Sequence, residues 1–372
     1  MREPSDARRR RILAVVRSRG TVRVADLAAE LEVSVVTVRR DVEELDRAGL
    51  LRRGHGVARS VEPVEQPPGP AGRGTAGDTA VALVVPERHT YLYETMHGAR
   101  TVLEEAGLRV ALHIAPRAAG AERPLVDRVL ADGAAGLLIA PRWSTAAEEE
   151  ADCAWLAGVG VPTVVTERRP RRGSALHAVD SVCSDHWYGM HLAVDHLVSL
   201  GHRRIVLAVR DDSPTARALR SAFVRIAHDR EKIEDWTVTL SAPEAGRAEV
   251  PGRPAPFPDP ADFGSSAGGL VGLLRERRAT AAVLHGDVDA LMLVQQLADR
   301  GVRVPQDCSV VAYDDVVAAF GSTPLTAVAP PKAEVGRLAA EVLVQRLAGR
   351  GGPPRRVELL PELKIRGSAR EL

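Results

Sequence analysis

No stretch of this 372-residue chain gathers the roughly 18 successive apolar residues that a bilayer span requires. A secretion signal is missing as well. Met1 to Arg11 are polar and basic and lead directly into an amphipathic stretch, without the apolar centre of an export signal. Both absences predict a cytoplasmic protein that does not engage a membrane. Cysteine is scarce: Cys153, Cys183 and Cys308 are far apart, odd in number and without a Cys-x-x-Cys pair. That excludes a disulfide framework and a thiolate metal site, and it suits a reducing compartment. Lysine is confined to Lys232, Lys332 and Lys364, so the cations are almost all guanidinium groups, as much coding bias as chemistry. No His-Glu-x-x-His or Walker sequence occurs, and no catalytic residue and no cofactor is expected. His186, His191 and His196 are spaced by five, about 140° apart on a helix. They cannot share a face as metal ligands, so no metal is expected either.

What is present describes a globular protein of two or three domains, with 45% hydrophobic and 27% charged residues. The net charge is only +1, but its distribution is uneven. Residues 1–60 hold 14 Lys+Arg against 9 Asp+Glu, and the remainder 36 against 40. A basic head on a mildly acidic body is expected when one end meets a polyanion.

Three segments follow from the patterning. Residues 1–60 read as a compact, mainly helical domain, 61–78 as a tether too rich in Pro and Gly to bury a core, and 79–372 as an α/β body. In the body, apolar runs without alternation recur at 81–85, 110–114, 136–140, 163–166, 205–209, 237–240, 281–284 and 309–312. Amphipathic stretches lie between them, at 94–106, 122–131, 187–200, 288–300 and 333–348. Uniformly apolar strands are buried on both faces, and intervening helices make their sheets parallel and doubly wound. Two such series predict two lobes, the first about 79–184 plus 330–350 and the second about 185–328 plus 355–369. The Pro-, Gly- and Ala-rich stretch 241–262 reads as a surface insertion, and Gly268-Gly269 as the flank of a helix start.

Three helices fit the N-terminal domain: about 6–18 with Gly20 as its stop, about 24–31, and one that begins after Ser34 and ends at Gly49. In the third, Val38, Val42 and Leu45 fall on one side. Val36 and Arg40 then point away from the core, with Thr37 and Arg39 on the flanks. A branched apolar residue, a hydroxyl and guanidinium groups on one outward face suit the major groove. Ser34 is placed as the N-cap, where the helix end also favours phosphate. The plainer reading pairs Arg39 with Glu43 and Arg40 with Glu44 on a solvated surface. The segment resembles the DeoR-type winged helix-turn-helix through Val24-Ala-Asp-Leu-Ala, Val33-Ser-Val-Val-Thr-Val-Arg-Arg-Asp-Val-Glu-Glu-Leu and Gly49-Leu-Leu-Arg-Arg-Gly-His-Gly. That resemblance implies a recognition helix at 34–47 and a wing at 50–57, with Arg52, Arg53 and His55 near the DNA backbone. Arg23 departs from the family, which usually has a small capping residue there.

The body is similar to the effector-binding domain of the lactose-repressor (LacI) family, which has the periplasmic-binding-protein fold. The resemblance rests on Leu200-Gly-His-Arg-Arg-Ile-Val and on Gly301-Val-Arg-Val-Pro-Gln-Asp-Cys-Ser-Val-Val-Ala-Tyr-Asp-Asp. It continues through Pro324-Leu-Thr-Ala-Val and Leu359-Leu-Pro-Glu-Leu-Lys-Ile-Arg-Gly-Ser. It implies effector contacts from Tyr91, Arg168, Asp185, Asp287 and Asp314; Asp185 and Asp287 could equally be helix N-caps. Gly286, Ala312 and Leu219 depart from the family at positions near the ligand, where an Asn, a Gly and an Arg are usual. The expected partners are a double-stranded DNA operator, a sugar-like effector (a nucleoside is the second choice) and a second copy of the chain. A repressor is the favoured form. The alternatives are a cytoplasmic solute-binding protein or an enzyme on the same two-lobed fold.

Overall fold

The computed structural model describes residues 8–9, 12, 21–24, 27–28, 33–47, 51–54, 57–60, 79–87, 90–116, 118–241 and 269–372. The chain divides into two units, 1–73 and 74–372. The tether 61–78, Gly20, Gly49, His55 and the stretch 242–262 lie outside the described residues.

In the first unit, Arg8, Arg9 and Ile12 are helical, as are Val24, Leu27 and Ala28. The third helix, α1, spans Val35–Arg47. Its start is fixed by Ser34, whose Oγ accepts the Thr37 amide at 3.2 Å. Val38, Val42 and Leu45 are buried with Ile12, Val24, Leu27, Ala28 and Leu51, the face anticipated from spacing. Asp41 on α1 is also buried and takes Arg8 Nε at 2.6 Å and Arg9 Nε at 3.2 Å. Two guanidinium groups thus tie the first helical segment to α1. Strands β2 (Leu51–Gly54) and β3 (Val57–Ser60) form an antiparallel hairpin at the place of the wing. β1 (Thr21–Arg23) adds to β3 as a third strand. Arg23 therefore ends a strand at the step into the helical residue Val24.

The second unit holds two six-stranded sheets. In the first lobe these strands are β4 (Ala80–Pro86), β5 (Arg109–Ala115), β6 (Gly136–Ile139), β7 (Thr163–Thr166), β8 (Asp180–Ser184) and β14 (Arg356–Leu359). Their order is β5-β4-β6-β7-β8-β14 and all pair in parallel. Helices α2 (Leu92–Glu105) and α9 (Lys332–Leu347) cover one face, and α3 (Glu122–Ala131) and α4 (Ala146–Ala157) the other. α2 and α9 meet backbone to backbone at two glycines: a Cβ on Gly98 would strike the Ala333 carbonyl, and one on Gly336 the Thr95 carbonyl.

The second lobe contains β9 (Arg204–Val209), β10 (Asp235–Leu240), β11 (Ala281–His285), β12 (Ser309–Tyr313), β13 (Thr326–Ala329) and β15 (Glu362–Lys364). The first five pair in parallel, in the order β10-β9-β11-β12-β13. β15 is antiparallel on β13, so this edge departs from the all-parallel expectation. Helices α5 (His186–Ser199) and α6 (Pro214–Asp229) pack on one face around Phe223, with α7 (Gly269–Glu276) and α8 (Asp287–Asp299) on the other. Segment 355–369, assigned from sequence to the second lobe, is shared. Its β14 joins the first sheet beside β8, so the boundary falls after Leu359. The chain crosses between lobes three times, at 184–186, 329–332 and 359–362. No helix among the described residues is long and apolar enough to cross a membrane.

Candidate functional site

The first candidate surface is the outward side of α1. Val36 is 73% exposed although it is a branched apolar residue, and Arg39 and Arg40 are exposed beside it. Glu44, the surface partner considered for Arg40, is engaged by Arg9. Thr37 is half-buried, and its hydroxyl lies 2.8 Å from Ser34 Oγ. Ser34 and Thr37 thus spend part of their hydrogen-bonding capacity on the helix start, while Val36, Arg39 and Arg40 are left outward. Arg52 and Arg53 fall on β2.

The second is a cleft between the lobes of the body, enclosing about 970 Å³ including its open mouth. Its walls are the C-terminal ends of parallel strands, where ligands of doubly wound sheets bind. The first lobe contributes Glu87 after β4, Tyr91 and Leu92 at the start of α2, Arg142 after β6 and Arg168 after β7. Facing them are Arg210 after β9, Ser213 and Thr215 at the start of α6, His285 closing β11, and Asp314 after β12.

Of the five sequence-predicted effector residues, Tyr91, Arg168 and Asp314 line this cleft. Tyr91 donates its hydroxyl to Glu167 Oε1 at 2.9 Å, and Lys332 Nζ lies over its ring, 5.6 Å from the centroid. Glu167 also receives the Ser184 amide and hydroxyl, each at 3.2 Å. Burial raises the Glu167 carboxyl above its ordinary value, and these three donors oppose that rise. Arg168 is 8% exposed and gives Nε to the Pro141 carbonyl at 2.5 Å and Nη1 to the Glu167 carbonyl at 2.7 Å. Burial lowers its pKa to about 10, with Glu167 opposing, so it remains a cation at neutral pH. Arg168 is therefore a preoriented donor, while Tyr91 is held by a network that the sequence did not reveal.

Asp185 and Asp287 serve helix ends and do not line the cleft. Asp185 caps α5 by accepting the Tyr188 amide at 2.9 Å, which is the plainer of its two sequence readings. Asp287 is the first residue of α8, not its N-cap; that position is Gly286, at φ 79°. The buried Asp287 carboxylate accepts the amides of Val317 at 2.5 Å and Ala318 at 2.9 Å, starting the 3-10 turn Ala318–Phe320. Leu219 is fully buried in the core around Phe223, and Arg220 Nη2 donates to the Arg210 carbonyl at 3.2 Å. The histidines of α5 also fill packing roles. His186 lies 3.3 Å from the Tyr313 hydroxyl and 3.4 Å from the Thr215 hydroxyl, while His191 stacks on Trp187. No group of residues suited to holding a metal ion occurs among the described residues.

Sequence reasoning missed Arg142, Arg210, Thr215 and His285. Each sits at a strand end or helix start, but that position alone marks many residues in such a body. His285 is 6% exposed, and burial holds its pKa down to about 3, so the imidazole facing the cleft is neutral. Burial, reinforced by the nearby Asp287 and opposed by Lys332, pushes the Asp314 carboxyl up to about 7. In the unfolded chain the group would titrate near 3.9. Its folded value is raised, so the native state loses relative stability as pH rises from about 4 through about 7. Asp314→Asn is expected to remove that loss, so wild-type and variant melting temperatures should diverge across the interval in the variant's favour. Parallel curves in thermal melts from pH 4 to 8 would contradict this.

Comparison with known proteins brings both surfaces into one context. A DeoR-like helix-turn-helix domain model matches residues 8–64, and a periplasmic binding protein-like domain model matches residues 194–369. The chain is 30% identical over 366 residues to the HTH-type transcriptional regulator reg1 of Streptomyces lividans, covering 94% of this chain and 96% of the relative. It is 26% identical over 369 residues to the arabinose metabolism transcriptional repressor of Geobacillus stearothermophilus, covering 93% and 90%. In fold it is similar to the LacI family transcriptional regulator CCPA of Weissella paramesenteroides, solved with bound sucrose. That likeness has a TM-score of 0.60 at 17% identity and covers 79% of this chain and 99% of the other.

Proposed function

Because the chain belongs to the LacI-type family of transcriptional regulators, with a DeoR-like DNA-binding domain at its head, we propose that it is a repressor released from its operator by a sugar or glycoside. The observation that carries the effector reading is the convergence of both lobes on one cleft. An aromatic ring, Tyr91, stands there with guanidinium donors and the acceptor Asp314. Hydroxyl-rich ligands need such a mixture, because each hydroxyl both donates and accepts. The names of the arabinose repressor and the sucrose-bound structure favour a sugar over a nucleoside.

Val36, Arg39 and Arg40 would read the major groove, Ser34 and Thr37 would meet phosphate at the helix start, and Arg52, Arg53 and His55 would follow the backbone. A homodimer in the cytoplasm completes the reading, since two recognition helices reach half-sites one helical turn apart. Exposed apolar side chains support pairing: Tyr93, Leu112 and Ile114 in the first lobe, and Val288, Met292 and Phe320 in the second. Closure of the lobes on effector would then alter the spacing of the two heads through the tether at 61–78. No turnover is assigned to the cleft, and a sugar recovered unchanged after incubation is the expected result.

The effector reading is tested by thermal denaturation of the full-length protein with L-arabinose, maltose, sucrose, ribose, glucose and adenosine. A saturable rise in melting temperature with one sugar is expected. A rise with adenosine alone would replace the sugar by a nucleoside, and no rise with any compound would remove the effector assignment from this panel.

A further inference from the structure

One side chain bridges the two lobes at the lip of the cleft, away from the three crossovers. Arg217 lies in the first turn of α6, two residues beyond the cleft-lining Thr215. Its Nη1 donates to the carbonyls of Trp143 at 2.7 Å and Ser144 at 2.9 Å. Its Nη2 meets Glu149 Oε2 at 3.1 Å. All three acceptors belong to the first lobe, in the turn after β6 and the first turn of α4. Arg142, immediately before that turn, is itself a cleft residue.

The receiving surface is held by contacts within its own lobe. Trp143 is 2% exposed and donates Nε1 to Asp152 at 3.0 Å. The Glu149 side chain is 7% exposed, with Arg171 of its own lobe 3.5 Å from the other carboxylate oxygen. Arg217 rides on a sixteen-residue helix capped by Ser213. A planar guanidinium that spans two carbonyls and a buried carboxylate matches one separation of the lobes and no other. Opening the hinge would break the Arg217 contacts with Glu149 and both carbonyls at once, leaving Glu149 with Arg171 alone.

We propose that Arg217 is a positioning residue that sets the closed separation of the lobes, so that effector affinity depends on it although it lies outside the cleft lining. The proposal rests on the cleft being the effector site. Its mechanism is a shift between open and closed populations, since a ligand that bridges the lobes binds in proportion to the closed fraction. In the family this region of α6 is read for a ligand-contacting arginine. Here the equivalent position is the core residue Leu219, and Arg217 takes a lobe-bridging role.

The test needs neither effector nor DNA. Spin labels are placed on the full-length protein at Ala118→Cys and Ser221→Cys, both exposed and on opposite lobes; the native Cys153, Cys183 and Cys308 are buried. Pulsed electron spin resonance then reads the distribution of distances between the lobes. The unliganded wild type is expected to give one narrow distribution. Arg217→Ala should lengthen and broaden it by several ångströms, while Arg217→Lys, which keeps the charge but loses the fork, falls between. Glu149→Gln serves as an independent variant that weakens the clasp from the other side and should broaden the distribution less. Circular dichroism and melting temperature establish that each variant is folded. Superimposable distributions for wild type, Arg217→Ala and Glu149→Gln would overturn the proposal. A lengthened distribution together with no response to any sugar would retain the clasp and remove the sugar reading, so the two fail separately.

Discussion

Replacing Arg40 by Ala is expected to weaken operator binding by about 5- to 150-fold, with little change in melting temperature. A bidentate arginine on a base edge contributes about 1–3 kcal/mol of discrimination, which converts to that range at about 1.4 kcal/mol per tenfold. The stability expectation follows from exposure. Arg40 points away from the core of Val38, Val42 and Leu45, and its surface partner candidate Glu44 is engaged by Arg9. The salt dependence tells which atoms Arg40 meets. If it reads a base, the loss concentrates on the cognate sequence and the specificity ratio falls. If it neutralises a phosphate, binding falls on all sequences and the slope of log affinity against log salt drops by about one. Val36→Ser should cost less, and chiefly at one thymine-bearing position, because a methyl contact carries less than a forked pair. Anisotropy titrations at several salt concentrations measure all of these. An Arg40→Ala protein that binds its operator like wild type would show that α1 does not enter the groove through this face.

The second large effect is expected at Arg168. Its guanidinium is buried and spends Nε and Nη1 on two carbonyls, leaving the rest of the fork for the cleft. Truncating a buried, hydrogen-bonded charge at an interface costs about 2–5 kcal/mol, so Arg168→Ala should weaken effector binding by at least about 30-fold. The Pro141 and Glu167 carbonyls lose their donor in the same variant, and part of the cost will appear as a lower melting temperature. Arg168→Lys separates the two contributions. A lysine keeps the cation but cannot reproduce the planar fork, so stability should recover more than affinity. Calorimetric titration with the sugar that raises the melting temperature reads the affinity directly. Unchanged affinity in the Arg168→Ala protein would place the ligand elsewhere in the cleft.

These expectations rest on features of unequal legibility. The strand runs at 81–85, 136–140 and 205–209 were readable because burial on both sheet faces forces continuous apolar sequence. Strand β8 escaped, although every residue in it is buried, because three of the five residues in Asp-Ser-Val-Cys-Ser are polar. Its ends are satisfied from a distance: Asp180 takes Arg346 at 2.6 Å and the Arg355 amide at 2.7 Å, and Ser184 serves Glu167. The Asp180 pairs span more than 160 positions and leave no local signature. β14 was misplaced for a related reason, since nothing within Arg-Val-Glu-Leu says which of two parallel sheets it will extend.

The site divides the same way. Ser34 as a cap and Val36 as an outward residue follow from helical spacing alone, which needs only the chain itself. Tyr91, Arg168 and Asp314 came from family resemblance, and the structure brings them to one cleft. Asp287 came from the same resemblance but is spent on the amides of Val317 and Ala318, thirty positions away. Its residue type suited both roles, and only the tertiary fold distinguishes them. Arg217 shows the converse: its three partners lie about seventy positions upstream, beyond the reach of any local signal.

The central claim is that one chain reads DNA with α1 and releases it on filling the cleft. The most direct measurement is anisotropy of full-length protein on labelled DNA from upstream of its own gene, titrated with salt and repeated with each sugar. Sequence-selective binding that weakens steeply with salt and is released by one sugar, with release lost in Arg168→Ala but operator affinity kept, is the predicted result. Binding that is equal on unrelated DNA, or untouched by every ligand that the protein demonstrably takes up, would contradict it.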